Sequence, residues 1–286
     1  MTAGRGGYFH RMSLPRGVLG ALLAALVVAL GAGSAAAATP PPPGANQPCT
    51  PSAAHPYPVV LVHGTAESMF ENWQAMSPAL KTAGYCVYAF NYGSYNGSGN
   101  LGVYGVDYIQ HSAAELASEV DSVLSRTGAS KVDLVGHSQG GMMPRYYMKN
   151  LGGGSKVDDL VGLSPSNHGT TQPLAAPLGL GCPACAQQAA GSPFITQLND
   201  GDETPGSADY TNIVTRYDEV VTPYTSGFLS SDGNAVTNVV LQDKCPGDTS
   251  EHLRTPYDTA AIQLTLNALG RSGPADPAFR PACPVV

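Results

Sequence analysis

Charge is scarce in this chain. Only 12% of its 286 residues are charged, and 14 Lys and Arg stand against 21 Asp and Glu, a formal net charge of −7. An acidic chain without basic clusters excludes nucleic acid and anionic membrane as expected partners. Past residue 30 no apolar run reaches the ~20 residues that a membrane-spanning helix needs. Metal-site spacing is missing as well. The "CPAC" at 182–185 has no second C-x-x-C and no H-x-x-x-H to complete a zinc site, and it lies in loop-like sequence, where a redox pair is not expected.

What is present begins with a targeting signal. Arg5, Arg11 and Arg16 precede the apolar run 18–30, and "GAGSAAAATPPPPG" follows. A basic start, a short apolar middle and small residues before a polar stretch describe a secretory signal peptide, expected over residues 1–38 with cleavage near Ala38. Residues 39–48 read as a loose Pro-rich leader, and 49–286 as a single catalytic domain. Cleavage would remove three of the 14 basic residues and move the formal charge to −10. A secreted monomer with no stable membrane anchor is expected. The exported part holds all six cysteines, an even number that reads as three disulfides. Of the 15 possible pairings, order along the chain favours Cys49–Cys86, Cys182–Cys185 and Cys245–Cys283.

Apolar runs alternate with helical patterns. Strands are expected at 57–64, 85–93, 131–137, 156–165, 210–218 and 235–243, and helices at 71–84, 106–128, 140–153 and 258–270. This order predicts an α/β fold with a mostly parallel central sheet and helices on both faces. Residues 166–209 break the alternation. They are rich in Ala, Leu, Pro and Gly with one short helix expected near 193–198, and they read as a lid or one wall of a cleft, with 172–198 as an acyl-chain wall. In such sheets ligands bind beyond the carboxyl ends of the strands.

One strand ends in "GHSQGG" (136–141). The Gly136-x-Ser138-x-Gly140 spacing between a strand and a helix is that of a nucleophile elbow, which holds a serine hydroxyl clear at a helix N-terminus. A serine needs a base. Of the seven histidines, His10 leaves with the signal, His55 and His63 come early, His111 lies within a helix and His137 adjoins the serine. In the order serine, acid, histidine, His252 is the choice, with His168 next. Twelve acidic residues separate Ser138 from His252. Asp218 directly follows the strand "TNIVTRY"; Glu219 is second, and Asp232 and Asp243 read as turn residues. Thr65, after "LVHG", and Gln139 are the expected backbone donors of an oxyanion hole, and the Thr65 hydroxyl could add a third.

Taken together, "VVLVHGT", "NW", "GHSQGGMMPRYY", "SPSNHGTT", "TRYDEVVTPYTSGF" and "EHLRTPYD" make the chain resemble the bacterial class 2 lipases of actinomycete type. That resemblance implies an α/β-hydrolase fold over nearly all of the mature chain. It also implies a Ser138–Asp218–His252 triad with Thr65 and Gln139 as oxyanion hole, action on lipid or other carboxylic esters, and chemistry that needs no cofactor and no metal.

Overall fold

Six short apolar segments account for the centre of the molecule. The computed structural model describes Met1 and residues 39–174, 179–230 and 233–283. In these residues β1 (Val59–Val62), β2 (Val87–Ala89), β3 (Val132–His137), β4 (Val157–Leu163), β5 (Asp209–Val214) and β6 (Val236–Val240) form one sheet in the order β2-β1-β3-β4-β5-β6. Every pairing in it is parallel. Parallel strands covered on both faces must be apolar on both, and "VVLV" of β1 is buried at all four positions. Successive residues supply opposite cores. Val60, Val62 and Leu134 pack with Ile109, Leu116, Met142 and Tyr147. Val59, Leu61 and Val135 pack with Trp73, Met76, Leu80 and Leu264 on the other side.

The helices follow from spacing and caps. α1 (Met69–Asn72) and α2 (Met76–Thr82) come after β1, α3 (Ile109–Thr127) after β2, and α4 (Gln139–Asn150) after β3. Buried residues of α3 recur at 109, 113, 116, 120 and 123, the stripe of a helix with one face on a core. Gly128, in the left-handed conformation at φ 70°, ends it. Beyond β4 lie α5 (Pro183–Gln187) and α6 (Pro193–Asn199), then α7 (Leu241–Lys244) after β6 and α8 (Thr259–Leu269). The Asp258 side chain caps α8 by accepting the N–H of Ala261 at 2.7 Å.

Three expectations are corrected. The single helix at 71–84 is two, because Trp73 leaves helical geometry (φ −116°) to bury its ring. The leader is not loose throughout: Ala45 is fully buried in the core, and Asn46 pairs its side-chain amide with both backbone groups of Ala89 at the open edge of β2. Small size and a side chain that mimics backbone made this legible only in three dimensions. Besides the expected short helix, which is α6, residues 183–187, expected as irregular, form α5; both helices have Pro in the first turn and a side-chain cap, from Ser192 and Cys182 respectively. The expected signal segment (beyond Met1), residues 175–178 of the expected lid and Asp232 lie outside the described residues.

All three expected disulfides are present: Cys49–Cys86 and Cys245–Cys283 close loops of 37 and 38 residues, and Cys182–Cys185 one of three. Among the described residues no helix is long and apolar enough to cross a membrane.

Candidate active site

Ser138 stands at the carboxyl end of the central strand β3, immediately before α4. Its backbone is held at φ 53° and ψ −121°, a conformation that costs a non-glycine residue of the order of 1–3 kcal/mol. Neighbouring glycines make the turn possible by close approach. A Cβ on Gly136 would lie 1.8 Å from the carbonyl oxygen of Gly140, and one on Gly140 would lie 2.0 Å from that of Val62. The Ser138 N–H is fixed to Leu163 O at 2.9 Å across to β4. Gln139, the first residue of α4, has one of the backbone N–H groups that a helix leaves without an intrahelical partner at its start.

Asp218 and His252 meet where β5 and the segment beyond β6 leave the same end of the sheet. His252 Nδ1–H donates to Asp218 Oδ2 at 2.9 Å, and both side chains are almost wholly buried. The other carboxylate oxygen, Oδ1, accepts the N–H groups of Val220 at 3.0 Å and Val221 at 2.7 Å. Each oxygen therefore has one task, and the carboxylate cannot rotate without breaking both. Glu219, the second choice of acid, hydrogen-bonds among the described residues only the backbone N–H of His252, at 3.4 Å. Asp243 pairs with Arg216, and His168 pairs with Glu203 at 2.9 Å. Ser138, His252, Thr65, Val220, Leu174 and Cys185 are among the residues lining one cavity of about 170 Å³. The expected wall thus contributes Leu174 and Cys185, while Phe194 and Ile195 turn into the core.

The Thr65 hydroxyl is bracketed. Gln139 Nε2 donates to it at 2.7 Å and Gln188 Nε2 at 2.8 Å. Both amides are oriented independently: Gln139 Nε2 also donates to Gly105 O at 2.7 Å, and Gln188 Oε1 accepts the Ser166 hydroxyl at 3.0 Å. A hydroxyl has two lone pairs and one proton. With both lone pairs engaged, the proton is what the hydroxyl has left to offer a third partner, and Thr65 lines the cavity.

Beneath His252 lies a group that chain order did not single out. His137 Nε2–H donates to the carbonyl oxygen of His252 at 3.1 Å, and its Nδ1–H donates to Glu67 Oε2 at 2.9 Å. Thr255 Oγ1–H donates to the same His252 carbonyl at 2.5 Å. Burial alone would lower the pKa of His137, but the charge and hydrogen bond of Glu67, with the His252 carbonyl, hold it above its ordinary value. Burial likewise opposes the charge of Glu67, yet His137 keeps it below the usual carboxylate range. Both directions favour an imidazolium–carboxylate pair, with the His137 side chain buried and that of Glu67 18% exposed. His63 differs: burial lowers it to about 4, and its Nδ1–H serves Gly64 O at 2.8 Å as a neutral ring.

The sign of the pH effect follows from these directions. A raised histidine contributes fully below about pH 6.5 and is lost as pH rises through its folded value; a lowered carboxylate contributes above about pH 4.5 and is lost as pH falls. Glu67→Gln should therefore lower the melting temperature most between about pH 4.5 and 6.5, with the gap to wild type narrowing at higher pH. Since His137 can release its proton, the loss should fall at or below the low end of the ~3–5 kcal/mol for breaking a buried pair. Thermal melts from pH 4.5 to 9 measure it, and a gap that does not change with pH would remove the charged pair.

Comparison with known proteins places this arrangement. Residues 56–265 match the family described as lipase (class 2). A triacylglycerol lipase of Pseudarthrobacter phenanthrenivorans is 35% identical over 99 residues, 33% of this chain and 28% of that protein. One of Vibrio cholerae is 33% identical over 150 residues, 43% of this chain and 44% of the relative. The chain thus spans less than half the length of these curated relatives. The crystal structure of Aspergillus fumigatus lipase B is similar with a TM-score of 0.66 at 26% identity, over 78% of this chain and 54% of that one. A mature Bacillus licheniformis lipase has a TM-score of 0.50 at 17% identity, over 71% and 88% of the two chains, a likeness of fold alone. The parallel sheet with its strand–serine–helix turn has the α/β-hydrolase fold, and with the family match spanning most of its length the chain belongs to the class 2 lipases.

Proposed function

We propose that this protein is a secreted, monomeric serine hydrolase that cleaves carboxylic esters, with acylglycerols or similar lipid esters as its substrates. The observation that carries the reading is the shared cavity of Ser138 and His252, with Asp218 fixed on Nδ1 of that histidine. In this mechanism Asp218 holds the proton on Nδ1, so Nε2 is the basic nitrogen. His252 takes the Ser138 proton as the oxygen attacks the ester carbonyl, and the C–O bond to the alcohol breaks as His252 returns that proton to it. Water then repeats the steps on the acyl-enzyme. The backbone N–H groups of Thr65 and Gln139 serve the tetrahedral oxyanion, and the Thr65 hydroxyl adds a third donor. Export through a signal peptide over residues 1–38 is supported by three disulfides in the remaining chain.

The donor is testable apart from the fold. Thr65→Val keeps the shape and the backbone N–H but removes the hydroxyl together with the acceptor of the Gln139 and Gln188 amides, so its melting temperature is read beside its kcat. It should lower kcat by about 10²-fold, as loss of one oxyanion donor does, with KM little changed. Thr65→Ser should restore most of the rate. Equal kcat in Thr65→Val and wild type would exclude the third donor.

A second reading, a short-chain esterase with the same residues, is favoured by the cavity of about 170 Å³, below the roughly 300–1,000 Å³ of most small-molecule sites. A polyester or cutin depolymerase is the further alternative. Rates on p-nitrophenyl esters of increasing acyl length, on emulsified triglyceride and on a polyester film separate the three. Activity on emulsion and on decanoate supports the lipase. Acetate-only activity supports the esterase, and film hydrolysis supports the depolymerase. No ester cleavage by the folded protein would sink all of them.

A further inference from the structure

The opposite end of the sheet carries a second cavity with different chemistry. It measures about 340 Å³, and Asp133, Asp158, Asp159, Asp209, Tyr85 and His55 are among its lining residues. Asp133 lies on β3 five residues before Ser138, so this cavity sits about 16 Å down the strand from the serine at ~3.3 Å per residue.

A break in strand register builds it. β3 pairs Val132 with Val157, but Leu134 with Leu160, so the single residue Asp133 faces both Asp158 and Asp159. This is a β-bulge, the device by which one extra residue re-aims a side chain. On the next strand Asp209 is the register partner of Asp159. One carboxylate oxygen from each of Asp133, Asp158 and Asp159 lies within 4.8 Å of the others.

These carboxylates are not explained by the partners they have. Asp133 and Asp159 are 3% and 4% exposed, and each has a buried Oδ1 that meets no hydrogen-bond donor among the described residues. Buried acceptors are nearly always satisfied, and an unsatisfied one points to an ion or water that belongs there. Lys131 reaches one oxygen of Asp158, at 2.9 Å, and Asp209 Oδ2 accepts the N–H of Gly273 at 3.0 Å. No cation among the described residues bonds Asp133 or Asp159. Three oxygens converging at this separation are the donor set of a hard divalent ion, and a cavity of this size leaves room for the water ligands that complete six to eight oxygens.

We propose that the bulge cluster of Asp133, Asp158 and Asp159 binds one calcium ion at the N-terminal end of the sheet, and that this ion stabilises the fold without entering ester chemistry.

The test needs no ester. Calcium chloride is titrated into EDTA-treated, dialysed full-length protein by calorimetry, and melts are recorded in EDTA, in 10 mM CaCl2 and in 10 mM MgCl2. One ion should bind with a Kd of about 10⁻⁴ M, the strong end of extracellular calcium sites. At 10 mM this should raise the melting temperature by about 5–10 °C, with magnesium giving much less. Asp159→Asn keeps the side-chain shape and removes a charge. It should bind calcium at least tenfold more weakly, lose most of the calcium-dependent rise, and keep any ester turnover in calcium-free buffer within about twofold. Asp158→Asn, at a more exposed position, serves if Asp159→Asn does not fold. No binding heat and no shift up to 10 mM calcium would overturn the proposal. So would equal shifts with calcium and magnesium, or equal calcium shifts in wild type and variant.

Discussion

Ser138→Ala should lower ester turnover by about 10⁴- to 10⁶-fold, the range seen when the nucleophile of a serine hydrolase is removed. The size of the effect rests on the chemistry proposed for the residue. Without Oγ no acyl-enzyme forms, and only water placed by the remaining donors can attack. The substitution is also a clean probe of that role. Alanine retains the Cβ, so the φ of 53° and the close glycine contacts around it are unchanged. The bond from the residue's own N–H to Leu163 O does not involve the side chain. The melting temperature should therefore stay within a degree or two of wild type. Initial rates on a p-nitrophenyl ester together with a melt decide it: more than about one part in a hundred of the activity, in a protein that melts normally, would exclude Ser138 as nucleophile.

Asp218→Asn should cost about 10⁴-fold in kcat, for a reason that is one of proton position. The Oδ1 of Asp218 already serves the N–H groups of Val220 and Val221, and an asparagine oxygen can keep both. Its NH2 group must then face His252 Nδ1, at the place where Oδ2 now accepts a proton at 2.9 Å. Two donors cannot face one another, so the ring shifts its proton to Nε2, the nitrogen that has to act as base. Loop structure survives and basicity is lost. Glu219→Gln is the matched control, because among the described residues the Glu219 carboxylate hydrogen-bonds only the His252 backbone. It should keep activity within about threefold. Comparable losses in the two variants would remove Asp218 from the role assigned to it.

How much of this was legible in the sequence depended on the range over which each signal acts. The elbow is local: glycines at 136 and 140 are needed because backbone oxygens lie where their Cβ atoms would be. Asp218 and His252 were reachable because chain order and a strand end narrowed twelve acids and seven histidines, and the structure brings these two side chains into one hydrogen bond. His137 was set aside merely for adjoining Ser138. Its partner Glu67 lies 70 residues away on the loop after β1, and nothing in either local stretch marks the pair. Gln188 is similar, meeting Thr65 across 123 residues. Helix α6 was expected at 193–198, whereas α5 was hard to foresee because five residues hold too little periodicity. Its signal lay in Pro at the first turn and in the cap. The acidic bulge escaped notice because Asp158 and Asp159 read as ordinary strand residues until β3 lies beside them.

The all-parallel sheet has a further consequence, for time rather than structure. Antiparallel neighbours can be joined by a two-residue turn, whereas each parallel pair here waits for a crossover to form first. β1 must in addition find β3, more than 70 residues on, before the centre of the sheet exists. Chain closure over such distances is lost entropy before any contact repays it, so the route to the native state is slow. The same connectivity means that no edge strand can peel away as a self-contained hairpin. Wherever unfolding is irreversible, the working lifetime of such a fold is set by the height of its unfolding barrier, which a rate of inactivation measures and an equilibrium melt does not.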